Sequence, residues 1–325
     1  TLLAMVVGGN KFLKDWGFET VIFSLLIGLF ISNIFSIPKW LKESLSSELF
    51  VKIGLVLLGT TVLFDDLLKA GALGLIQSCV VVFTVWNFCF WLCRKMKIDK
   101  EMSLMLSSAV SICGVSAAVA TAGAIKGDKT KLSYVVSLVL VVAVPMILIM
   151  PGLAKLMGLP EDMAGAWIGG TIDTTGAVAA TGAIYGEVAL QTSTIVKFSQ
   201  NVLLGVAAFL ISIYWSYSKK EVTEEKPTLK VIWLRFPKFV LGFVAASLVF
   251  SFCVAPEVVS DAKPILKNIQ GMWFALAFMS IGLETDFKSL ITSENRRSTY
   301  AFLGAQAFNV VFTLLVAWIL FGLIA

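Results

Sequence analysis

Ten apolar runs follow one another along the chain, at about residues 18–36, 50–64, 70–93, 104–125, 131–157, 163–186, 190–217, 231–255, 265–283 and 299–324. Each is long enough to cross or deeply enter a bilayer as a helix. Because the runs are continuous rather than alternating, a transmembrane β-barrel is excluded. The pattern predicts an all-α, polytopic membrane protein of about ten helical segments. Two runs are interrupted near their centres by polar, small residues: SICGVS from Ser111 and TIDTTG from Thr171. Each interruption leads into a near-repeat, AVATAGAIKGD from Ala118 and AVAATGAIYGE from Ala177. Glycine and hydroxyl residues at membrane depth predict two discontinuous helices, either crossing or re-entrant. Irregular backbone there is tolerated only inside protein or along a cavity. Paired Gly-interrupted segments are the strongest sequence pointer to a transporter's binding site.

A second, looser similarity links Gly54 to Lys69, GLVLLGTTVLFDDLLK, with Phe274 to Leu290, FALAFMSIGLETDFKSL. The assigned topology runs these in opposite directions, as inverted repeats require. The chain then reads as a single transporter domain, 1–325, with a first half at 1–157 and a second at 163–325. A polar linker at 218–230, containing KKEVTEEKPTLK, joins the halves. Leu2 to Gly8 reads as the tail of an earlier helix and lacks a signal peptide's charged n-region.

Positive charge gathers at Arg94, Lys95, Lys97 and Lys100, at Lys219 to Lys238, and at Lys288, Arg296 and Arg297, which places those loops in the cytoplasm. Trp91, Tyr214, Trp215 and Trp233 flank two of these clusters as interfacial anchors. Lys126, Lys129 and Lys131 break the alternation, because a full crossing after Arg94 would put them outside. Re-entrant hairpins at 107–125 and 169–186 would remove the conflict. Broken spanning helices are the alternative, slightly preferred through the family resemblance described below.

Composition narrows the chemistry. Hydrophobic residues make up 58% of the chain and charged residues 14%, so the polar surface is too small for a soluble domain. The net charge of +5 sits mostly in short loops and marks topology; no nucleic-acid partner is expected. There is no histidine, which removes the usual zinc-hydrolase motifs, a Ser-His-Asp triad and an imidazole relay. The five cysteines lie in or beside apolar segments and show no disulfide or metal spacing. GAIKGDKT, from Gly123, superficially resembles a P-loop, but Asp128 replaces the second glycine and no strand precedes it. No ATP site and no enzyme activity are expected.

The candidate chemistry lies at the two interruptions. Ser111, Cys113, Gly114 and Ser116 in the first either pack helices closely or contact substrate. In the second, Asp173 with Thr174, Thr175 and Gly176 gathers oxygen ligands around a carboxylate, suited to a sodium ion (Asp173, Thr174) or to a proton. Lys197 lies within the next run, with Gln200 and Asn201 one turn on. A lysine at that depth either pairs with a carboxylate, Asp173 being the candidate, or snorkels to the interface. Glu284, the deepest acid at a run end, is a second candidate for ion coupling.

The segments SSAVSICGVSAAVATAGAIKGDKTKLSYVV, TIDTTGAVAATGAIYG, TSTIVKFSQNVLLG and FMSIGLETDFKSL occur in an order that resembles the YeiH-type sulfate exporter family over nearly the whole chain. That family looks related to the bile acid/sodium symporter and cation/proton antiporter fold group. The resemblance implies a panel domain, a core with discontinuous helices, and elevator-type alternating access. Ser111, Ile112, Cys113, Gly114 and Lys197 match the family's elements. At IDTTGAV, Ile172 to Val178, the chain departs from the His-Glu and downstream Gln of the family pattern. The combined expectation is a secondary active transporter in the bacterial cytoplasmic membrane. It would carry a small anion such as sulfate, a sulfonate or a carboxylate, coupled to H+ or Na+ and needing no other cofactor. An ion channel and a membrane enzyme are the rival classes. The expected partners are the lipid bilayer and the substrate, with a homodimer as a compatible assembly.

Overall fold

The computed structural model describes residues 20–34, 46–219, 233–234, 236–284 and 296–324. The segment at Leu2 to Gly8 and most of the linker at 218–230 lie outside them. Twelve α-helices, labelled in chain order, organise the described residues: α1 (Thr20–Ile34), α2 (Ser47–Leu58), α3 (Phe64–Lys95), α4 (Lys100–Ser108), α5 (Val115–Ile125), α6 (Lys129–Leu156), α7 (Glu161–Thr171), α8 (Thr175–Tyr185), α9 (Glu187–Lys219), α10 (Phe239–Leu248), α11 (Pro256–Glu284) and α12 (Arg296–Ala317). There is no β-strand among them. α4, α10 and α12 each continue into a short, wider helical turn, at Ala109–Cys113, Val249–Cys253 and Trp318–Ile324.

Four stretches are long and apolar enough to cross a bilayer: Leu67–Lys95, Lys129–Leu156, Glu187–Trp215 and Arg296–Leu323. At about 1.5 Å per residue each exceeds the roughly 30 Å hydrocarbon core. Phe83, Ile149, Phe252 and Val311 are exposed on the outside of the fold, as lipid-facing side chains would be.

The helices gather into two bundles. α1 and α2 pack on α11, and α10 packs on α2. α3, α4 to α9 and α12 form the larger bundle, with α9 against α3, α5, α7 and α8, and α12 against α3 and α7. The two stretches of the looser repeat differ in structure: the chain at 54–69 leaves α2 and restarts in α3, whereas 274–284 is the end of α11, and 285–290 lies outside the described residues.

The two interrupted segments are helical hairpins. Helix α4 is capped by the Asp99 carboxylate, which accepts from the Met102 amide at 3.1 Å. The far end of the same segment returns to this point. Lys131 pairs with Asp99 at 2.8 Å and Glu101 at 2.9 Å, and the Asp128 amide donates to Glu101. In the second segment, the Glu161 carboxylate accepts from the Val188 amide at 2.9 Å and the Ala189 amide at 3.3 Å, while the Tyr185 hydroxyl donates to the Leu159 carbonyl. Both segments therefore start and finish side by side.

α6 connects the base of one hairpin to the base of the other. A 28-residue helix separates those bases by about 40 Å, so the hairpins enter from opposite ends. Their arms, from 100 to 113 and from 161 to 172, reach about 20 and about 16 Å and together match that separation. The second hairpin is held tightly to α9: a Cβ on Gly169 would lie 2.4 Å from the Ser193 carbonyl oxygen. Only glycine permits that approach.

Candidate functional site

The hairpin tips meet. At the first, Gly114 turns the chain with φ 59 and ψ −113, a conformation that side chains resist. A Cβ there would lie 3.2 Å from the Asp173 Cβ, 3.2 Å from the Thr174 Cγ2 and 2.7 Å from the Val139 Cγ1. The second tip is broader, with Ile172 and Thr174 extended on either side of Asp173.

Each tip leaves the last carbonyls of one helix and the first amides of the next without intrahelical partners. Two spanning helices supply donors for the carbonyls. From α9, the Lys197 ammonium donates to the Ile112 carbonyl at 2.6 Å, the Ile172 carbonyl at 2.9 Å and the Gln200 Oε1 at 2.8 Å. The Gln200 amide bridges the Ser111 carbonyl at 3.3 Å and the Gly170 carbonyl at 3.0 Å. From α12, Asn309 Nδ2 bridges the Val110 and Thr171 carbonyls at 3.2 and 3.1 Å. Gln306 adds a bond to the Thr171 carbonyl at 3.0 Å. The two tips are thus tied together from both sides.

Lys197 therefore does not pair with Asp173: among the described residues no acid lies within 4.0 Å of its ammonium. Two helix C-termini, each carrying partial negative charge, take the place the carboxylate was expected to fill. Asp173 is 2% exposed, and neither carboxylate oxygen has a hydrogen-bond partner. An ionised carboxylate in that setting is costly, so the site suits a neutral carboxyl group or one compensated by a cation.

The first turns of α5 and α8 line a cavity of about 720 Å³ between the two bundles. Val115, Ser116, Thr174, Thr175, Gly176 and Ala177 line its inner end. Asn201 joins them, donating to the Thr175 hydroxyl at 3.2 Å. Thr174 Oγ1 caps α8 by accepting from the Ala177 amide at 3.3 Å. Towards the smaller bundle the lining includes Lys52, Lys238, Glu48 and Glu284. Lys52 pairs with Glu48 at 2.7 Å, and Glu284 accepts from the Ser47 hydroxyl at 2.7 Å.

The sequence-predicted residues divide between these two environments. Cys113, Ser116, Thr174, Thr175, Gly176, Asn201 and Glu284 line the cavity. Ser111, Gly114, Asp173, Lys197 and Gln200 are buried and are not among its lining residues, Gly114 and Asp173 lying in the tips themselves. Ser111 is occupied in its own helix, donating its hydroxyl to the Ser107 carbonyl at 2.7 Å. Among the described residues no cluster of three His, Cys, Asp or Glu side chains could hold a metal. Gln306 and Asn309 escaped the sequence reading. Their signal is a pair of amides three residues apart within the apolar run AFLGAQAFNVVFTLL.

A family model described as conserved hypothetical protein 698 matches residues 1–301. The chain belongs to this family. A membrane protein of Rhodopirellula baltica named UPF0324 is 39% identical over 332 residues, covering 99% of this chain and 61% of the relative. A UPF0324 membrane protein of Nitratidesulfovibrio vulgaris is 37% identical over 337 residues, covering 99% and 58%. A third, from Bacillus anthracis, is 25% identical over 322 residues, covering 97% and 92%. The chain thus spans about three fifths of the length of the first two relatives. No solved structure matches it. The family expectation read from the SICGVS, TIDTTG and TSTIVKFSQ segments is met, and the protein is a membrane protein.

Proposed function

We propose that this chain is a secondary active transporter of a small anion, working without a cofactor other than a coupling ion, H+ or Na+. The observation that carries the reading is the convergence of two half-helix N-termini, α5 and α8, on one cavity lined with the hydroxyls of Ser116, Thr174 and Thr175. The positive end of each helix dipole favours an anion in that position. In this reading the two opposed hairpins re-enter from opposite faces and the site lies at the midplane, a reading supported by the meeting of their tips near the middle of the long helices. Re-entry also keeps Lys126, Lys129 and Lys131 on the same side as Arg94 and Lys95, which satisfies the positive-inside rule. The larger bundle is the moving part in this reading, and α1, α2, α10 and α11 are the scaffold. An enzyme is disfavoured in this reading because Asp173 and Lys197 are buried and do not line the cavity.

The test is flux in proteoliposomes. A carrier gives saturable uptake that responds to an imposed ion gradient. Ser116→Ala and Thr174→Val should raise the half-saturating concentration by about fivefold to fiftyfold, the worth of one or two hydrogen bonds to an anion. Non-saturating flux that ignores ion gradients would identify a channel instead.

A further inference from the structure

We infer that transport is an electroneutral symport of one proton with one monovalent anion, in which Asp173 takes the proton and Lys197 remains a fixed cation. The inference rests on the carrier reading above and specifies its coupling ion, its stoichiometry and the charge of its substrate. Lys197 is an ammonium by geometry: three acceptors, Ile112 O, Ile172 O and Gln200 Oε1, lie at 2.6 to 2.9 Å, and a neutral amine has only two N–H groups to offer them. Losing the proton would leave one of these buried acceptors without a donor, so the charge stays through the cycle.

Asp173 is the group that can change. Its carboxylate is buried and without a hydrogen-bond partner. The titratable groups around it are Lys197 on α9, Cys113 at the first tip and Cys89 on α3. α12 faces the tips with the uncharged amides of Gln306 and Asn309, and α6 meets Gly114 with Val139. Across the cavity, Lys52, Glu48, Lys238 and Glu284 belong to the scaffold side and do not move with the site.

A net charge crossing the hydrocarbon core is strongly disfavoured, so the moving bundle crosses readily only when its buried charges cancel. Two states satisfy this. Empty, Lys197 with ionised Asp173 sums to zero. Loaded, Lys197 with protonated Asp173 and a monovalent anion also sums to zero. The forms with a proton but no anion, or an anion but no proton, carry one uncompensated charge and stay in place. Proton and anion must therefore travel together. A dianion such as sulfate would leave one negative charge, because a single carboxyl group is buried here.

Sodium could balance the same charge, but it needs several oxygen ligands. The carbonyls released by the tips are already engaged: Ile112 and Ile172 by Lys197, Ser111 and Gly170 by Gln200, Val110 and Thr171 by Asn309. A proton needs only the carboxylate.

The experiment uses wild type and Asp173→Asn in proteoliposomes, with labelled methanesulfonate as the monoanion and sulfate as the dianion. In wild type, methanesulfonate uptake should follow an inward proton gradient and stay unchanged when a potassium diffusion potential is imposed with valinomycin. Sulfate uptake should be slower by more than about tenfold. Asp173→Asn fixes the loaded protonation state, so the empty carrier is stranded with one positive charge. The variant should keep methanesulfonate-for-methanesulfonate exchange within about threefold of wild type while net uptake falls more than about tenfold. Uptake driven by membrane potential or by a sodium gradient, sulfate moving as fast as methanesulfonate, or undiminished net uptake by the variant would each overturn the inference and leave the carrier intact. Absence of saturable flux with wild type would refute the carrier reading itself. Should Asp173→Asn fail to fold, the wild-type potential measurement decides alone.

Discussion

Replacing Lys197 with methionine tests whether the tips are held by this one side chain. Methionine keeps most of the stem and removes the ammonium, leaving three buried acceptors, Ile112 O, Ile172 O and Gln200 Oε1, without their donor. In water-soluble proteins each such loss costs about 1–3 kcal/mol, which would sum to about 3–9 kcal/mol. Hydrogen bonds between membrane helices measure nearer 0.6 kcal/mol each, about 2 kcal/mol for three, because the unfolded chain finds other partners in the bilayer. Lys197 is 1% exposed, so water does not replace the missing donor, and the expected loss lies between these bounds, at about 2–5 kcal/mol. The assay is reversible unfolding in mixed micelles, read as a change in unfolding free energy. Lys52→Met is the control: Lys52 sits in a half-exposed pair with Glu48 and should change stability by less than about 0.5 kcal/mol. A Lys197→Met protein as stable as the control would refute the idea that this ammonium braces the hairpins.

Two further perturbations act on the same junction. Gly114→Ala puts a Cβ 2.7 Å from Val139 Cγ1 and 3.2 Å from Asp173 Cβ at a φ of 59, so unfolding free energy should fall by about 2–4 kcal/mol and methanesulfonate uptake should drop with it. A variant with wild-type stability and uptake would show that the tips do not need this turn. Asn309→Leu leaves the Val110 and Thr171 carbonyls with one donor fewer, and Thr171 keeps Gln306; the same unfolding measurement should show a loss of about 1–2 kcal/mol, smaller than that of Lys197→Met. A loss equal to that of Lys197→Met would mean that α12, rather than α9, carries the brace.

Much of the helix placement was legible because the bilayer imposes it. A run of about 20 apolar residues has few other solutions, and the runs at 70–93, 131–157, 190–217 and 299–324 lie within helices, or helices with their short continuations. The breaks were legible for a related reason: Gly114 and the Thr171 to Gly176 cluster are poor helix formers surrounded by good apolar ones. The fold-back was not. Its direction is set by the backbone torsions of one glycine and by contacts between residues far apart in sequence, Lys131 with Asp99 and Glu161 with Val188, which leave no local pattern. Only the charge argument hinted at it, through Lys126 to Lys131. The partners of Lys197 were not legible because sequence displays formal charges and hides partial ones. Carbonyl ends of half-helices compete with a carboxylate for an ammonium, and here they hold it. Gln306 and Asn309 were missed for the same reason, since neutral amides in an apolar run draw attention only when charge is not the sole criterion.

If the protein is the carrier proposed above, the bonds within the larger bundle favour its moving as one body rather than hairpin by hairpin. Both tips are cross-linked by α9 and α12 through buried donors, so moving one hairpin alone would orphan several carbonyls at once. Between the bundles, among the described residues, the Phe64 amide of α3 donates to the Ser251 hydroxyl beyond α10 at 3.0 Å, and one ion pair joins α11 to α9. Lys267 on α11 pairs with Glu187 on α9 at 2.7 Å, but the two side chains are 57% and 47% exposed. An ion pair of that exposure contributes about 0–1 kcal/mol. The cavity occupies the same seam, lined by the first turns of α5 and α8 on one side and by α2, α10 and α11 on the other. The apolar contact across the seam is extensive, since Leu25, Leu55, Phe243 and Phe278 of the smaller bundle share one buried cluster with Ile147, Val178 and Phe198 of the larger, so the carrier cycle proposed above would have to slide these apolar faces past one another.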